Sequence, residues 1–182
     1  MSTTTAVKSE PQIIESLTYP ISPDYVRRNW TLERGIAEFV SNAIDADPKG
    51  YRFEWSDGVL TVEDFGPGVP EEGLVLGWSD KTNQQIGTWG EGLKIGSLVV
   101  ARSNKVGRIT VESVGYGFVP SITKGSPVGP LLANGNGAAR KGGIPLLRYD
   151  FFRSERERGT TITIEDCPEE VAEAVRSRFL YF

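Results

Sequence analysis

The sequence predicts an α+β fold, a two-layer sandwich in which helices cover one face of a mixed, mainly antiparallel sheet. Helical and strand-like patterns follow one another as helix, hairpin, loop, helix, several strands and a last helix, which is not the regular βαβ alternation of a doubly wound sheet. The chain has 182 residues, 38% of them hydrophobic, so it is long enough for one domain with its own core. We expect a flexible arm over residues 1–18 and a single domain over 19–182.

The first half of the domain is predicted to contain a helix followed by a hairpin. Apolar residues recur at helical spacing over residues 31–46, and the Asp-Pro-Lys-Gly segment at 47–50 ends that helix. Residues 51–64 form two strand-like runs around Asp57-Gly58, a pair that is typical of tight hairpin turns.

The second half is predicted to begin with a polar, glycine-rich segment over residues 79–92 that leads into a helix within LKIGSLVVARS. Residues 108–120 alternate as a strand, and residues 121–143 have the composition of a mobile loop. LLRYDFF and GTTITIED indicate further strands, and a closing helix begins at Pro168.

Composition and charge exclude several classes of function. The chain has no histidine and one cysteine, which excludes a histidine-based catalytic triad and argues against a zinc site. A lone Cys167 suits a reducing cytoplasm, and no apolar run is long enough to cross a membrane. The net charge of -4 argues against binding nucleic acid through the whole surface, although a local basic face stays open. Any chemistry must therefore use carboxylates, lysine, hydroxyls or a hard metal ion.

Three polar side chains share one stripe of the first helix. Successive helical residues rotate by about 100°, so Glu38, Asn42 and Asp45 lie close together while apolar residues fill the opposite arc. An ordinary amphipathic helix with a solvated face would have the same pattern. The stripe, however, has no lysine partners of the kind that surface helices favour. A carboxylate beside an amide oxygen suits Mg²⁺.

Two glycine-rich loops follow. Asp64 ends a strand and is followed by Gly66 and Gly68, which indicates either a simple Gly-Pro turn or a close approach of a ligand to the backbone. The GTWGEGLK segment at 87–94 fits neither the Walker A loop nor the dinucleotide fingerprint. It is a glycine-rich turn that feeds a helix N-terminus with Lys94 in the first turn. That arrangement favours an anion, with a tight loop and a solvated lysine as the alternative.

Four segments together resemble the motifs of the GHKL (Bergerat-fold) ATPases, a family that includes gyrase-type topoisomerases, histidine kinases, MutL and MORC proteins. Residues Glu38–Ala46 are similar to the first motif, ExxxNAxDA. Residues 64–68 are similar to the second motif, DxGxG, and residues 87–92 to the third, GxxGxG. A Gly-Thr pair that opens a late strand is similar to Gly159-Thr160. The LKIGS extension of the third motif is most similar to the MORC branch.

The resemblance implies a role for each motif residue. Glu38 would be the catalytic base that deprotonates water, and Asn42 would hold Mg²⁺. Asp64 would accept the adenine amino group, supported by Gly68 and Thr160. The phosphates would meet the backbone of Gly90 and Gly92 and the charge of Lys94. The other nucleotide-binding positions implied are Asp45, Gly66, Lys81, Gly87, Glu91 and Leu93. Residues 69–86 would be the ATP lid, in which Ser79 and Lys81 close over the phosphates.

The resemblance also implies a function and its partners. The chain ends soon after the fourth motif, so we expect a stand-alone domain that lacks the transducer domain and its lysine. The leading expectation is Mg²⁺-dependent binding and slow hydrolysis of ATP to ADP as a conformational switch, with a nucleotide-dependent homodimer and an unidentified protein partner. One alternative is a protein serine kinase of the anti-sigma-factor type. The other is a binding module that does not hydrolyse the nucleotide.

Overall fold

A computed structural model describes residues 10–26, 30–74, 91–125 and 143–179 of the chain. Within them, seven strands form one sheet, and every described strand pair is antiparallel. The strands are β1 Ile13–Tyr19, β2 Arg52–Ser56, β3 Val59–Asp64, β4 Ile109–Glu112, β5 Tyr116–Gly125, β6 Ile144–Arg153 and β7 Thr160–Ile164. Their order across the sheet is β1-β6-β5-β4-β7-β3-β2.

The sheet has an apolar and a polar face because buried and partly exposed residues alternate along its central strands. On β3, Leu60 and Val62 are buried, and they lie opposite Ile164 and Ile162 of β7. The intervening residues of both strands are threonines and one glutamate. Three described helices pack on the apolar face: α1 Leu32–Ala46, α2 Gly92–Ala101 and α3 Glu169–Arg176. The predicted α+β class and two-layer arrangement are confirmed.

Helix α1 begins at Leu32, one residue after the predicted start, ends at Ala46 as predicted, and has the predicted buried face. The Thr31 hydroxyl accepts a hydrogen bond from the Arg34 N–H at 3.3 Å, which satisfies one of the donors left unpaired at a helix start. The helix ends before Asp47, one residue ahead of a proline that cannot continue it. Ile36, Phe39, Val40, Ala43 and Ile44 are buried, so the opposite stripe faces away from the core.

Helices α1 and α2 approach each other closely at two glycines. A Cβ on Gly96 would lie 2.6 Å from Phe39 Cε1 and 2.8 Å from the Gly35 carbonyl oxygen. A Cβ on Gly35 would lie 2.7 Å from Val99 Cγ1. All three distances are too short for a real side chain, so this packing requires glycine on each helix.

The predicted hairpin is β2–β3, and its two-residue turn has positive φ at Asp57 (51°) and Gly58 (81°). These φ values match the turn type that best suits the twist of a hairpin. In the described part of the chain no helix is both long and apolar enough to cross a membrane.

Three boundaries differ from the sequence prediction. Residues 13–18 of the predicted arm belong to strand β1, which pairs with β6; most side chains of β1 are exposed, and its sequence lacks the apolar alternation that marks a strand. The single strand predicted at 108–120 is β4 and β5, separated by a turn with Gly115 at φ 79°. Residues 121–125 of the predicted loop extend β5, and residues 126–142 lie outside the described residues.

Candidate functional site

The polar stripe of α1 faces the N-terminus of α2. A Cβ on Gly92, the first residue of α2, would lie 2.7 Å from Glu38 Oε2 and 3.5 Å from Asn42 Nδ2. Glycine at position 92 therefore leaves the space that the Glu38 carboxylate occupies. The structure thus brings together Glu38 and Asn42 from one predicted motif with Gly92 from another. Asp45 lies half-buried on the same stripe.

The N-terminus of α2 is not capped by the side chain of its own N-cap residue, Glu91. Glu91 precedes the helix, and its carbonyl accepts the Ile95 N–H at 2.8 Å, but its side chain makes no capping hydrogen bond. The first N–H groups of a helix have no partner inside the helix, and they carry the positive end of its dipole. The Glu38 carboxylate therefore lies beside a helix end that attracts anions.

Lys94 lies in the first turn of α2 but is buried. Only 3% of its surface is exposed, and its Nζ donates a hydrogen bond to the Gly73 carbonyl at 2.7 Å. Burial lowers the pKa of Lys94. Gly73 belongs to a short 3-10 helix, Glu71–Leu74, at the start of the predicted lid. Lys94 thus joins the first turn of α2 to this segment.

Asp64 lies at the end of β3 and is 5% exposed. Its Oδ1 accepts the Gly66 N–H at 2.9 Å, and the carboxylate is also hydrogen-bonded by the backbone of Thr160, the residue directly opposite on β7. Burial raises the pKa of Asp64, and these two backbone hydrogen bonds oppose that change. The carboxylate is therefore held in one orientation by the loop that follows β3 and by strand β7.

The loop after Asp64 is tied to α1 and to β7. A Cβ on Gly66 would lie 2.9 Å from the Ala46 carbonyl oxygen at the end of α1. The Gly159 N–H donates to the Gly66 carbonyl at 2.8 Å. These contacts place the Asp64 region next to the end of the helix that carries Glu38 and Asn42. The predicted first, second and fourth motifs are therefore neighbours in the fold.

A buried serine that sequence reasoning missed completes this region. Ser113 is 0% exposed; its Oγ accepts the Val69 N–H at 2.8 Å and lies 3.5 Å from Thr160 Oγ1. Gly68, with φ 85°, packs directly against it. The signal was present in the sequence, because Ile109, Val111 and Ser113 share one face at strand spacing, which puts a hydroxyl where a core residue is expected.

Several predicted site residues have other placements. Leu93 is buried in the hydrophobic core, and Glu91 is partly exposed. Gly87 and Gly90 of the third motif lie outside the described residues, as do Ser79 and Lys81 of the predicted lid. No group of three or more carboxylate, histidine or cysteine side chains within the described ranges is arranged to hold a metal ion.

Gly159→Ala is expected to destabilise the protein more than Gly115→Ala, although both glycines have positive φ, 70° and 79°. A Cβ on Gly159 would overlap the Asp64 carbonyl oxygen, whereas nothing lies within 4 Å of a Cβ on Gly115. Gly115→Ala should lower the free energy of unfolding by about 1–2 kcal/mol from backbone conformation alone. Gly159→Ala should lower it further, because β3 must move. Denaturant unfolding measures both losses, and equal losses would contradict this account.

Comparisons with known proteins return solved structures alone. No protein-family model matches the chain, and no curated protein matches it. The structure is similar to the ATPase region of Saccharomyces cerevisiae topoisomerase II, with 12% identity, a TM-score of 0.39, and coverage of 81% of this chain and 42% of that one. It is also similar to the N-terminal domain of a DNA repair protein, with 18% identity, a TM-score of 0.41, and coverage of 84% and 40%. The chain spans less than half of each, and at these low scores neither likeness bears on function.

Proposed function

We propose that this chain is a GHKL-type domain that binds ATP with Mg²⁺ and hydrolyses it slowly. The observation that carries the proposal is the position of the Glu38 carboxylate and the Asn42 amide against Gly92 at the start of α2. A base, an oxygen ligand for a hard cation and a helix end that attracts anions are the groups that phosphoryl transfer to water needs. Here they come from segments whose motifs resemble that family.

The base of the nucleotide would bind at Asp64. Its buried carboxylate is fixed by backbone hydrogen bonds from Gly66 and Thr160, which leaves further acceptor capacity for an amino group. The hydroxyl of Thr160 lies on the adjacent strand. A pre-oriented acceptor in a largely buried site is the kind of group that gives a ligand pocket its specificity.

The phosphates would lie between the α1 stripe and the first turn of α2. Asn42 would hold Mg²⁺, which would neutralise charge on the phosphates. Glu38 would orient the attacking water and accept its proton, and the N–H groups of the first turn of α2 would stabilise the phosphate charge. The side-chain oxygen of Asn42 is the type of ligand that a hard cation of this kind takes.

Lys94 would supply the positive charge that a transducer lysine supplies elsewhere in the family. Its hydrogen bond to the Gly73 carbonyl supports a connection between the phosphate end of the site and the start of the lid. Movement of that segment on nucleotide binding would then be the switch that a partner protein or a second subunit detects. Among the branches of the family, we place the chain nearest to MORC, and the LKIGS segment is the one feature that supports this placement.

One experiment separates hydrolysis from its alternatives. The purified chain is incubated with γ-labelled ATP and Mg²⁺, and the size of the particle is measured with a non-hydrolysable ATP analogue. The proposal predicts slow release of labelled phosphate to water. Transfer of the label to serine in an added candidate protein would instead indicate the kinase, and tight binding without label release would indicate a module that only binds. Absence of ATP binding would overturn the proposal, and a size increase with the analogue would support the dimer.

A further inference from the structure

Ser113 is the most deeply buried hydroxyl beside the Asp64–Thr160 pair, and no motif includes it. It follows β4 directly, and its backbone N–H donates to the Tyr116 carbonyl in the tight turn that joins β4 to β5. Its side chain faces inward, between Val69 and Thr160. The inference below rests on the proposed function, because it concerns how this pocket would recognise a nucleotide base.

The direction of the Ser113 hydroxyl follows from its partners. A serine hydroxyl has one hydrogen to donate and two lone pairs that accept. The Val69 N–H, at 2.8 Å, can only donate, so it occupies a lone pair of Ser113. The hydrogen of Ser113 then needs an acceptor, because an undonated buried hydroxyl is unfavourable. In the described contacts of Ser113, the acceptor within reach is Thr160 Oγ1, at 3.5 Å.

This direction determines what Thr160 presents to a ligand. If Ser113 donates to Thr160 Oγ1, the hydroxyl hydrogen of Thr160 points away from Ser113 and can be donated to a ligand. Thr160 lies directly opposite Asp64 on the neighbouring strand, so a donor stands beside a carboxylate acceptor. Hydrogen bonds in such a chain polarise one another, so each reinforces the next.

A donor beside an acceptor distinguishes the two purines. Adenine has an amino group, which donates, next to the ring nitrogen N1, which accepts. Guanine has a carbonyl oxygen, which accepts, next to an N1–H, which donates. Guanine would therefore face both pocket groups with the wrong polarity, and unpaired buried polar groups are the strongest source of discrimination between ligands. We propose that Ser113 is a positioning residue that fixes the Thr160 hydroxyl as a donor and thereby sets a preference for adenine over guanine.

The chain contains a matched control for this role. Val69 is held by two side chains of the β4–β5 turn region, because Tyr116 Oη donates to the Val69 carbonyl at 3.0 Å while Ser113 accepts from the Val69 N–H. Tyr116→Phe removes one of these bonds without touching the Ser113–Thr160 contact. If Ser113 only holds Val69 in place, either substitution should have the same effect. If Ser113 fixes the direction of the Thr160 hydroxyl, only Ser113→Ala should change base preference.

The test compares the dissociation constants of ATP and GTP. Ser113→Ala is expected to reduce the ratio of GTP to ATP dissociation constants by roughly tenfold, the effect of about one hydrogen bond. Tyr116→Phe should leave the ratio unchanged even if it lowers the melting temperature. Thr160→Val should reduce the ratio by a similar factor, and adding Ser113→Ala to it should cause little further loss. If Ser113→Ala does not fold, Ser113→Cys keeps the volume with a much weaker donor and should change the ratio in the same direction.

Two results would overturn the inference while leaving the proposed function intact. The first is a parent protein that prefers ATP and a folded Ser113→Ala or Ser113→Cys variant with the same preference. The second is an equal change of the ratio in Ser113→Ala and Tyr116→Phe, which would assign Ser113 only to holding Val69. A parent protein that binds neither nucleotide would overturn the proposed function itself, and this inference with it.

Discussion

Asp64→Asn is expected to abolish ATP binding while the protein stays folded. The carboxylate of Asp64 accepts backbone hydrogen bonds from both Gly66 and Thr160. Asparagine has a single acceptor oxygen, so its amide group would face either a backbone N–H or the amino group of the base, and both are donors. Losing a charge-assisted hydrogen bond and adding this conflict should weaken binding by about 100-fold or more. Isothermal titration with ATP and Mg²⁺ measures the change.

Asp47→Asn is the matched control for this substitution. Asp47 is a nearby carboxylate whose negative charge contributes to the raised pKa of Asp64, but its Oδ1 accepts the Gly50 N–H outside the pocket, at 3.0 Å. An asparagine oxygen can accept that same hydrogen bond. Asp47→Asn should therefore bind ATP nearly as the parent does. Equal ATP affinities of Asp64→Asn and the parent would show that the adenine base does not bind at Asp64.

Glu38→Ala is expected to bind ATP but to lose its turnover. The carboxylate lies against Gly92 at the start of α2, where the proposal places the attacking water. Removing a general base typically lowers the rate by about 10²–10⁴-fold. Binding should change little, because the base acts on water and not on the nucleotide. Steady-state phosphate release and a separate binding titration measure the two effects.

Two further substitutions on the same helix test the specificity of that loss. Glu38→Gln keeps the size of the side chain and removes its basicity, so it should be as inactive as Glu38→Ala. Asp45 lies on the same stripe, and we expect Asp45→Asn to alter affinity more than turnover. Turnover by Glu38→Ala at the parent rate would exclude Glu38 as the base, whatever the affinities.

Local sequence patterns correctly predicted the elements whose start, end and buried face are all determined within one segment. Helix α1 has an apolar arc, a capping threonine and a proline after its end, and all three signals lie within one segment. The β2–β3 hairpin is likewise specified by Asp57-Gly58 between alternating runs. Strand β1 was missed because its side chains are mostly exposed; what holds it is backbone pairing with β6, more than a hundred residues away. A single sequence contains no local signal for that pairing.

The candidate site likewise contains some features that the sequence predicted and others that it did not. The spacing of Glu38 and Asn42 on one helical stripe was readable because it depends only on helix geometry. The approach of Gly92 to both side chains depends on how two helices pack, and only motif resemblance connected them in the sequence. Ser113 belongs to no motif and acts through Val69 and Thr160, which are distant in sequence. The hydrogen bond of Lys94 to Gly73 was also unforeseen, since a lysine in a first helical turn suggested either a charge for an anion or a solvated side chain.

The contact between Gly35 and Gly96 sets the width of the proposed phosphate site from outside it. Glu38 follows Gly35 by one turn of α1, and Gly92 precedes Gly96 by one turn of α2. At this contact the Gly96 backbone lies against the Gly35 carbonyl, with the Phe39 and Val99 side chains packed beside the two glycines, so a side chain on either glycine would push the helices apart. The distance between the Glu38 carboxylate and the first N–H groups of α2 is therefore fixed by two residues that would touch no nucleotide. Close-packed contacts of this kind transmit displacement instead of absorbing it, so α1 and α2 should respond to a ligand as a single rigid unit.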